Sequence, residues 1–235
     1  MLEEYLKSGF AQLELPCDDE ALKKYRRYYE MLEESNKVMN LTAISGEEDV
    51  ARLHFLDSAA LLKAAELGGL RVIDVGTGAG FPGLPLKIAQ EDIELTLLDC
   101  LDKRLGFLRG VCDELGYKKT PCVHARAEEI PAGYRQAFDA ALSRAVARLN
   151  VLAELCMPYV KQGGVFIAMK GPDCEDELRE AKSAVAQLGG TVESVYKYTV
   201  PDTDIVHSAI VIRKTGDTPP QFPRRWSAIK KSPLV

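Results

Sequence analysis

No part of this 235-residue chain is a long apolar segment, although 46% of its residues are hydrophobic. A membrane-spanning helix needs about 18 or more consecutive apolar residues, and no run approaches that length. Acidic residues (Glu3 and Glu4) follow the first methionine, at the place where a secretory signal peptide carries basic residues. From these two absences we expect a cytoplasmic protein that has no membrane partner.

Paired cysteine motifs are also missing, because none of the six cysteines forms a Cys-x-x-Cys pair with another. Disulfide frameworks are typical of small secreted chains, and structural zinc sites need clustered ligands. We therefore expect reduced and mostly buried thiols, and no metal site.

The net charge of −5 disfavours a nucleic-acid partner only weakly, because the charge is unevenly distributed. Residues 213–235 contain six cationic side chains and one acidic side chain, a net charge of +5, which leaves −10 for residues 1–212. A basic segment on an acidic body is expected for a protein that binds phosphate groups. A solvated tail explains the same composition, so both interpretations stay open at this point.

Apolar residues recur at spacings of three and four in two N-terminal segments, which predicts amphipathic helices over 18–36 and 47–67. After residue 69 the pattern changes to strands that alternate with helices. The predicted strands cover 71–75, 93–98, 121–124, 138–142, 164–169, 191–200 and 207–213. The predicted helices follow the glycine-rich loop after the first strand and cover 103–115, 151–159 and 175–188.

This alternation predicts a doubly wound, mostly parallel, seven-stranded α/β sheet. The last two strands have no helix between them, which predicts a hairpin with an antiparallel strand at one edge. We divide the chain into a small helical extension at 1–67, a cofactor-binding domain at 68–214 and a basic tail at 215–235. Four prolines in the tail predict an extended rather than a packed segment.

A glycine-rich loop follows the first predicted strand, with Gly76, Gly78 and Gly80 at alternate positions. Glycines let the backbone turn sharply and let a ligand approach where a Cβ would stand in the way. The second strand ends in Asp99, and a carboxylate at this position accepts hydrogen bonds from the two hydroxyls of a ribose. The two features together predict a nucleoside cofactor.

Two details separate the possible cofactors. The dinucleotide fingerprint needs Gly-x-Gly-x-x-Gly, whereas this chain has Phe81 at the third glycine position. Asp74, two residues before Gly76, would repel a pyrophosphate but suits a ligand with an ammonium and a sulfonium group. This favours S-adenosylmethionine, with S-adenosylhomocysteine as product, over a dinucleotide. A tight loop with no ligand is the remaining alternative.

Seven short motifs lie in order along nearly the whole chain: Asn40–Ile44, His54–Ser58, Asp74–Gly83, Leu98–Arg104, Ser143–Ala147, Ala168–Gly171 and Phe222–Arg225. They resemble the motifs of the bacterial small-subunit ribosomal RNA guanine-N7 methyltransferase G family, also called the glucose-inhibited division protein B family. Few other methyltransferases share the Gly-Phe-Pro-Gly end of the loop or the Leu-Asp-x-Leu-x-Lys-Arg run.

The resemblance implies the Rossmann-like fold of class I methyltransferases and methylation at N7 of one guanine in 16S ribosomal RNA, guanine 527. It also implies that Gly76 and Phe81 line the cofactor pocket, that Ala127 and Glu128 flank the adenine, and that Arg144 faces both cofactor and RNA. The predicted cofactor contacts are therefore Asp74, Gly76, Gly78, Phe81, Asp99, Ala127, Glu128 and Arg144.

The chain departs from the family pattern at two positions. Cys100 stands where the family usually has serine after the acid, and Trp226 stands where its tail usually has a small or basic residue. A thiol is a poorer hydrogen-bonding partner for a ribose than a hydroxyl. We therefore leave Cys100 out of the predicted site.

Guanine N7 is an unprotonated acceptor, so no side chain has to remove a proton before methyl transfer. The exit of the fourth strand is Ser143-Arg144-Ala145, without the Asn/Asp-Pro-Pro-Tyr motif of amine methyltransferases. Cys156 lies in an apolar stretch and is interpreted as core rather than as a nucleophile. We assign no catalytic residue and name Arg144 and His54 as candidates that position the reactants.

His54 has Asp57 and Ser58 one helical turn away. The three side chains either line the substrate side of the pocket or form a purely structural group, and the sequence favours neither. The candidate RNA contacts are Asn40, His54, Lys170, Arg224 and Arg225. The expected partner is small-subunit ribosomal RNA or a ribosomal particle, bound by a monomer.

Three other functions compete with RNA methylation. A small-molecule methyltransferase on the same sheet would have no use for the basic tail. A cofactor-binding or RNA-binding regulatory module would bind without turnover. A nicotinamide dehydrogenase would bind NAD and not S-adenosylhomocysteine.

Overall fold

The structure, a computed structural model, describes residues 1–144 and 147–235. Ala145 and Val146, which belong to the fourth-strand motif Ser143–Ala147, lie outside the described residues. The strands of the sheet are β1 (Arg71–Val75), β2 (Glu94–Asp99), β3 (Cys122–His124), β4 (Phe138–Ser143), β5 (Val160–Lys170), β6 (Gly190–Thr199) and β7 (Val206–Lys214).

The strand order is β3-β2-β1-β4-β5-β7-β6. The first five strands are parallel, and β7 pairs antiparallel with both β5 and β6. This confirms the mostly parallel seven-stranded sheet and the hairpin predicted from the missing helix between the last two strands. Because β1 pairs with β2 on one side and β4 on the other, the chain reverses its direction of winding at β1.

Helices cover both faces of the sheet. Their bounds are α1 (Leu2–Gln12), α2 (Asp19–Met39), α3 (47–63), α4 (Gly83–Ala89), α5 (Asp102–Glu114), α6 (Leu149–Cys156), α7 (Glu175–Gln187) and α8 (Trp226–Lys231). The described residues form two hydrophobic clusters, and neighbouring residues of β1 belong to different ones. Val72 belongs to the cluster that includes residues of α1 to α5, and Ile73 belongs to the cluster that includes residues of α6 and α7. None of the described helices has the length and apolarity needed to cross a membrane.

The N-terminal helices differ from the prediction in two ways. The sequence analysis did not predict α1, in which Leu2, Leu6 and Phe10 face the core at spacings of four. The helix predicted over 47–67 ends at Lys63 and contains a π-helical turn at Ala51–Leu56. Turns of this kind are often found at functional sites, and this one carries His54.

The prediction of an extended, unpacked tail is wrong, because part of the tail is helical and buried. Ile229 of α8 is fully buried. Arg224 donates from Nε (2.7 Å) and Nη2 (2.5 Å) to the carboxylate of Glu154, which is itself completely buried on α6. A buried carboxylate needs a paired cation. This pairing between residues 70 positions apart leaves no trace in the local sequence pattern.

We expect Arg224→Ala to lower the free energy of unfolding by about 3–5 kcal/mol, because it leaves the buried Glu154 without its cation. Arg225→Ala is the matched control, since Arg225 is the next residue and is exposed. It should change stability by less than about 0.5 kcal/mol. Urea denaturation of both variants measures the difference, and equal stability of the two would contradict the structural role of the pair.

Candidate functional site

Asp74 closes the glycine-rich loop from inside the protein. Its side chain is completely buried, and Oδ2 accepts hydrogen bonds from Thr77 Oγ1 (2.7 Å) and from the backbone N–H of Gly83 (2.9 Å), the first residue of α4. Oδ1 has no hydrogen-bond partner among the residues that the structure describes. Burial raises the pKa of this carboxyl to about 6. Asp74 therefore holds the loop and keeps one free acceptor atom.

Asp99 lies at the carboxyl end of β2, across from the loop. Its Oδ2 accepts from the N–H of Gly78 (2.9 Å) and its Oδ1 from the N–H of Leu101 (2.9 Å), while Arg104 Nη1 lies 3.5 Å from Oδ2. A carboxylate has about four lone-pair positions. Asp99 is thus oriented by the backbone and retains acceptor capacity.

A cavity of about 220 Å³ opens beside Asp99. Four predicted cofactor contacts meet there: Gly76, Asp99, Ala127 and Glu128. Gly76 has a φ of 75°, and no atom lies within 4 Å of the position that a Cβ would take. The remaining wall is formed by Leu98, Cys100, Arg104, Ala125, Arg126, Leu155 and Trp226. Sequence reasoning left out Cys100 and did not predict Leu155 or Trp226 in this wall.

Ala127 and Glu128 are held by neighbours. The carbonyl of Ala127 accepts from the Tyr159 hydroxyl (2.9 Å), and Glu128 pairs with Arg126 at 2.6 Å. These contacts hold the segment after β3 at the cavity; the adenine contact of Ala127 and Glu128 stays a prediction.

Phe81, His54 and Arg144 form a stack next to the loop. The His54 and Phe81 rings are 4.1 Å apart and nearly parallel, and the Arg144 guanidinium lies 4.9 Å from the centre of the Phe81 ring. Phe81 is buried in this stack, outside the wall of the 220 Å³ cavity. The glycine-rich loop therefore contacts two places: Gly76 lines the cavity, and Phe81 contacts His54 and Arg144.

His54 is neutral and has a defined tautomer. Arg144 Nη2 lies 2.9 Å from Nδ1, and a guanidinium has only donors, so Nδ1 accepts. The proton is therefore on Nε2, which donates to Thr42 Oγ1 at 2.8 Å. Burial, and secondly the charge of Arg144, lower the pKa of His54 to about 3. Both ring nitrogens are occupied, so His54 is placed to orient Arg144.

Asp57 connects Arg144 to the far strands of the sheet. Its Oδ1 accepts from the Tyr198 hydroxyl and from His207 Nδ1, each at 2.8 Å, and Arg144 Nη1 lies 3.4 Å from Oδ2. The hydrogen bond to Asp57 raises the pKa of His207 above its usual value. From the sequence we placed Asp57 beside His54 and named neither Tyr198 nor His207 as its partner. The partners missed lie on β6 and β7, far away in sequence.

A second cavity of about 340 Å³ borders this group. Its wall contains Asp57, Arg144, Ala147, Arg148, Met169, Lys170, Gly171, Glu177 and His207. The Lys170 ammonium is already bound, at 2.6 Å to the carbonyl of Ala147 and at 2.7 Å to Glu177. Of the other RNA-contact candidates, Asn40 caps the C-terminus of α2 and is exposed, and Arg225 is also exposed.

No group of three or more His, Cys, Asp or Glu side chains within residues 1–144 and 147–235 is arranged to hold a metal ion.

The low pKa of His54 predicts a pH-dependent stability. Between about pH 6.5 and 3 the unfolded chain binds one proton at this position that the folded chain does not, so stability falls as pH falls. From pH 7 to pH 5 this linkage amounts to about 2 kcal/mol, and His54→Asn removes it. The parent should therefore lose about 2 kcal/mol more unfolding free energy than His54→Asn when the pH is lowered from 7 to 5.

Thr42→Val is the control, because it removes the hydrogen-bond partner of His54 but keeps the imidazole. Its loss of stability should be similar at both pH values. A difference between parent and His54→Asn that stays constant over this range would contradict a neutral, buried His54.

The sequence matches the family described as GidB, rRNA small subunit methyltransferase G, over residues 21–206. A protein named Ribosomal RNA small subunit methyltransferase G from Clostridium botulinum (strain Loch Maree / Type A3) is 44% identical over 97% of both chains. A protein of the same name from Alkaliphilus oremlandii (strain OhILAs) is 46% identical over 99% of both chains.

Solved structures support the fold. A methyltransferase from Pyrococcus furiosus matches with a TM-score of 0.58 at 16% identity, over 82% of this chain and 99% of that one. TrmN from Thermus thermophilus matches with a TM-score of 0.54 at 19% identity, over 68% of this chain and 48% of that one. The family match and the full-length relatives lead to one conclusion: the chain belongs to the rRNA small subunit methyltransferase G family.

Proposed function

We propose that this protein transfers the methyl group of S-adenosylmethionine to N7 of one guanine in 16S ribosomal RNA, guanine 527. The observation that carries the proposal is the cavity in which Gly76 and Asp99 meet. It lies at the carboxyl ends of β1, β2 and β3, beside the point between β1 and β4 at which the strand order reverses, and α/β sheets of this kind bind ligands at that point. Family membership supports the RNA substrate.

The residues at this cavity fit the nucleoside part of the cofactor. Asp99 is held with acceptor capacity for two ribose hydroxyls. The space beside Gly76 is one that a side chain would fill. Near the loop, Asp74 Oδ1 is a buried acceptor in need of a donor, as an ammonium group would supply.

The start of α4 disfavours a dinucleotide. Rossmann-type sites place a pyrophosphate at the N-terminus of the helix after the glycine loop. Here the N–H of Gly83 already donates to the buried carboxylate of Asp74. An acid in this place repels a phosphate, which supports S-adenosylmethionine over NAD.

When bound, the cofactor supplies an electrophilic methyl group on a sulfonium. The protein has to place guanine N7 in line with that methyl group in a site closed to water. N7 carries no proton, so the reaction needs no base, and a neutral His54 with both nitrogens occupied suits this. Arg144, fixed by His54 and Asp57, is positioned to bind the guanine O6, a phosphate or the cofactor carboxylate.

We assign the RNA phosphate contacts mainly to the exposed cations of the C-terminal segment: Arg225, Lys230 and Lys231. Arg224 and Lys170 have internal carboxylate partners, so they act by holding Glu154 and Glu177. Asn40, which is exposed, remains a candidate contact on the N-terminal side, whereas the buried His54 acts by orienting Arg144. A ribosomal substrate agrees with the expected cytoplasmic location, and the monomeric state stays a prediction.

Isothermal titration calorimetry with S-adenosylhomocysteine tests the cofactor. We expect the parent to bind and Asp99→Asn to bind about ten- to a hundredfold more weakly, because hydrogen bonds to a charged acceptor contribute about 1.5–3 kcal/mol. Asp102→Asn is the control, since it makes the same change at an exposed position three residues away. Tight binding of NAD, or equal binding by Asp99→Asn and the parent, would contradict the assignment.

Methyl transfer to small-subunit RNA tests the reaction. Incubation with labelled S-adenosylmethionine should label 16S RNA at one guanine, where borohydride reduction followed by aniline cuts the strand after N7 methylation. RNA that binds tightly without label would support a regulatory module. Labelling without strand scission would place the methyl group on another atom.

The basic segment is tested best by charge reversal, since deleting residues 214–235 also removes the partner of the buried Glu154. We expect the double variant Lys230→Glu with Lys231→Glu to bind RNA at least tenfold more weakly. The slope of its binding constant against salt concentration, on logarithmic axes, should decrease by the amount expected for the loss of about two phosphate contacts. The control pair Lys118→Glu with Lys119→Glu lies in an exposed turn before β3, at the amino ends of the strands, whereas the cavity that Trp226 of α8 lines lies at their carboxyl ends. Equal effects of both pairs would exclude α8 from the RNA interface.

A further inference from the structure

The only tryptophan of the chain, Trp226, lies in the wall of the 220 Å³ cavity. Tryptophan is highly buried on average, yet this side chain is 37% exposed. It faces the same space as Gly76 and Asp99. The exposed indole surface is therefore available to whatever occupies the cavity.

The position of Trp226 is built into the fold. Two residues before it, Arg224 binds Glu154 of α6, and the next residue on α6, Leu155, shares the cavity wall with Trp226. Three residues after it, Ile229 is fully buried. A buried ion pair and an apolar anchor thus hold the indole at the cavity from both sides.

The cavity wall has a polar and an apolar part. Asp99, Arg104, Arg126 and Glu128 supply charged groups, whereas Leu98, Ala125, Ala127, Leu155 and Trp226 supply apolar surface. A purine nucleoside has the same division, with hydroxyls on the sugar and two flat faces on the base. Stacking of a base on an aromatic side chain depends little on which base it is and contributes about 1–3 kcal/mol to the binding free energy.

We propose that Trp226 stacks on the adenine ring of the bound methyl donor and product, so that the C-terminal segment completes the cofactor site. The inference rests on the proposed function, which assigns this cavity to the adenosine. Trp226 adds an aromatic face to the cavity wall that also contains Ala127 and Glu128.

The single tryptophan provides the measurement, because all indole emission of the protein comes from this position. We expect S-adenosylhomocysteine to change the emission of the parent protein in a saturable way, with the same Kd as in calorimetry. 5′-Methylthioadenosine, which contains the nucleoside half, should give the same change. Methionine, which lacks it, should give none.

Substitution tests the contact independently of fluorescence. By calorimetry, Trp226→Ala should bind S-adenosylhomocysteine about tenfold more weakly, and Trp226→Phe, which keeps an aromatic face, should stay within about threefold of the parent. Ile205→Ala is the control, since Ile205 is an apolar residue of similar exposure (41%) beside β7. Urea denaturation of each variant establishes that it is folded.

The outcomes separate the two proposals. If the parent binds S-adenosylhomocysteine but its emission stays constant and Trp226→Ala binds equally well, the stacking inference is wrong and the proposed function stands. If the parent binds neither S-adenosylhomocysteine nor 5′-methylthioadenosine, the proposed function is wrong and the inference falls with it. If Trp226→Ala binds S-adenosylhomocysteine weakly and Trp226→Phe binds it nearly as well as the parent, the result supports both the proposed function and the stacking inference.

Discussion

The conformation of the glycine-rich loop depends on one completely buried carboxylate. Asp74 binds Thr77 at the beginning of the glycine-rich loop and Gly83 at its end. Stranding a buried carboxylate without hydrogen bonds costs several kcal/mol. The loop therefore cannot open without breaking both contacts, and its closed form determines where Gly76 meets Asp99. The same closed form presses Phe81 against His54 and Arg144.

Much of the fold follows from local patterns in the sequence. Strands that are buried on both faces appear as short apolar runs, and their alternation with helices requires a parallel sheet. The meeting of Gly76 and Asp99 was also predictable, because neighbouring parallel strands bring their carboxyl ends together. The unpredicted features, namely α1, the π-helical turn and the packing of the tail, depend on tertiary contacts such as that between Arg224 and Glu154.

The contacts around Arg144 and Asp57 also could not be predicted from local sequence patterns. Arg144 and Asp57 were recognisable as motif residues, but the partners that hold Asp57 are Tyr198 and His207, about 140 to 150 positions away. No local spacing indicates such a pair. The neutrality of His54 likewise depends on its burial and on the nearby guanidinium, which only the packed structure brings together.

Helix α6 connects the 220 Å³ cavity to the cationic C-terminal segment. Its adjacent residues Glu154 and Leu155 contact the cationic C-terminal segment and the cavity, respectively. A ligand in the cavity that favours one placement of α8 would then change the affinity of the cationic segment for its own ligand. By thermodynamic linkage, the ligand of the segment would change the affinity of the cavity by the same factor. Such reciprocity would let occupancy of the cavity and binding at the cationic segment strengthen each other without a moving lid.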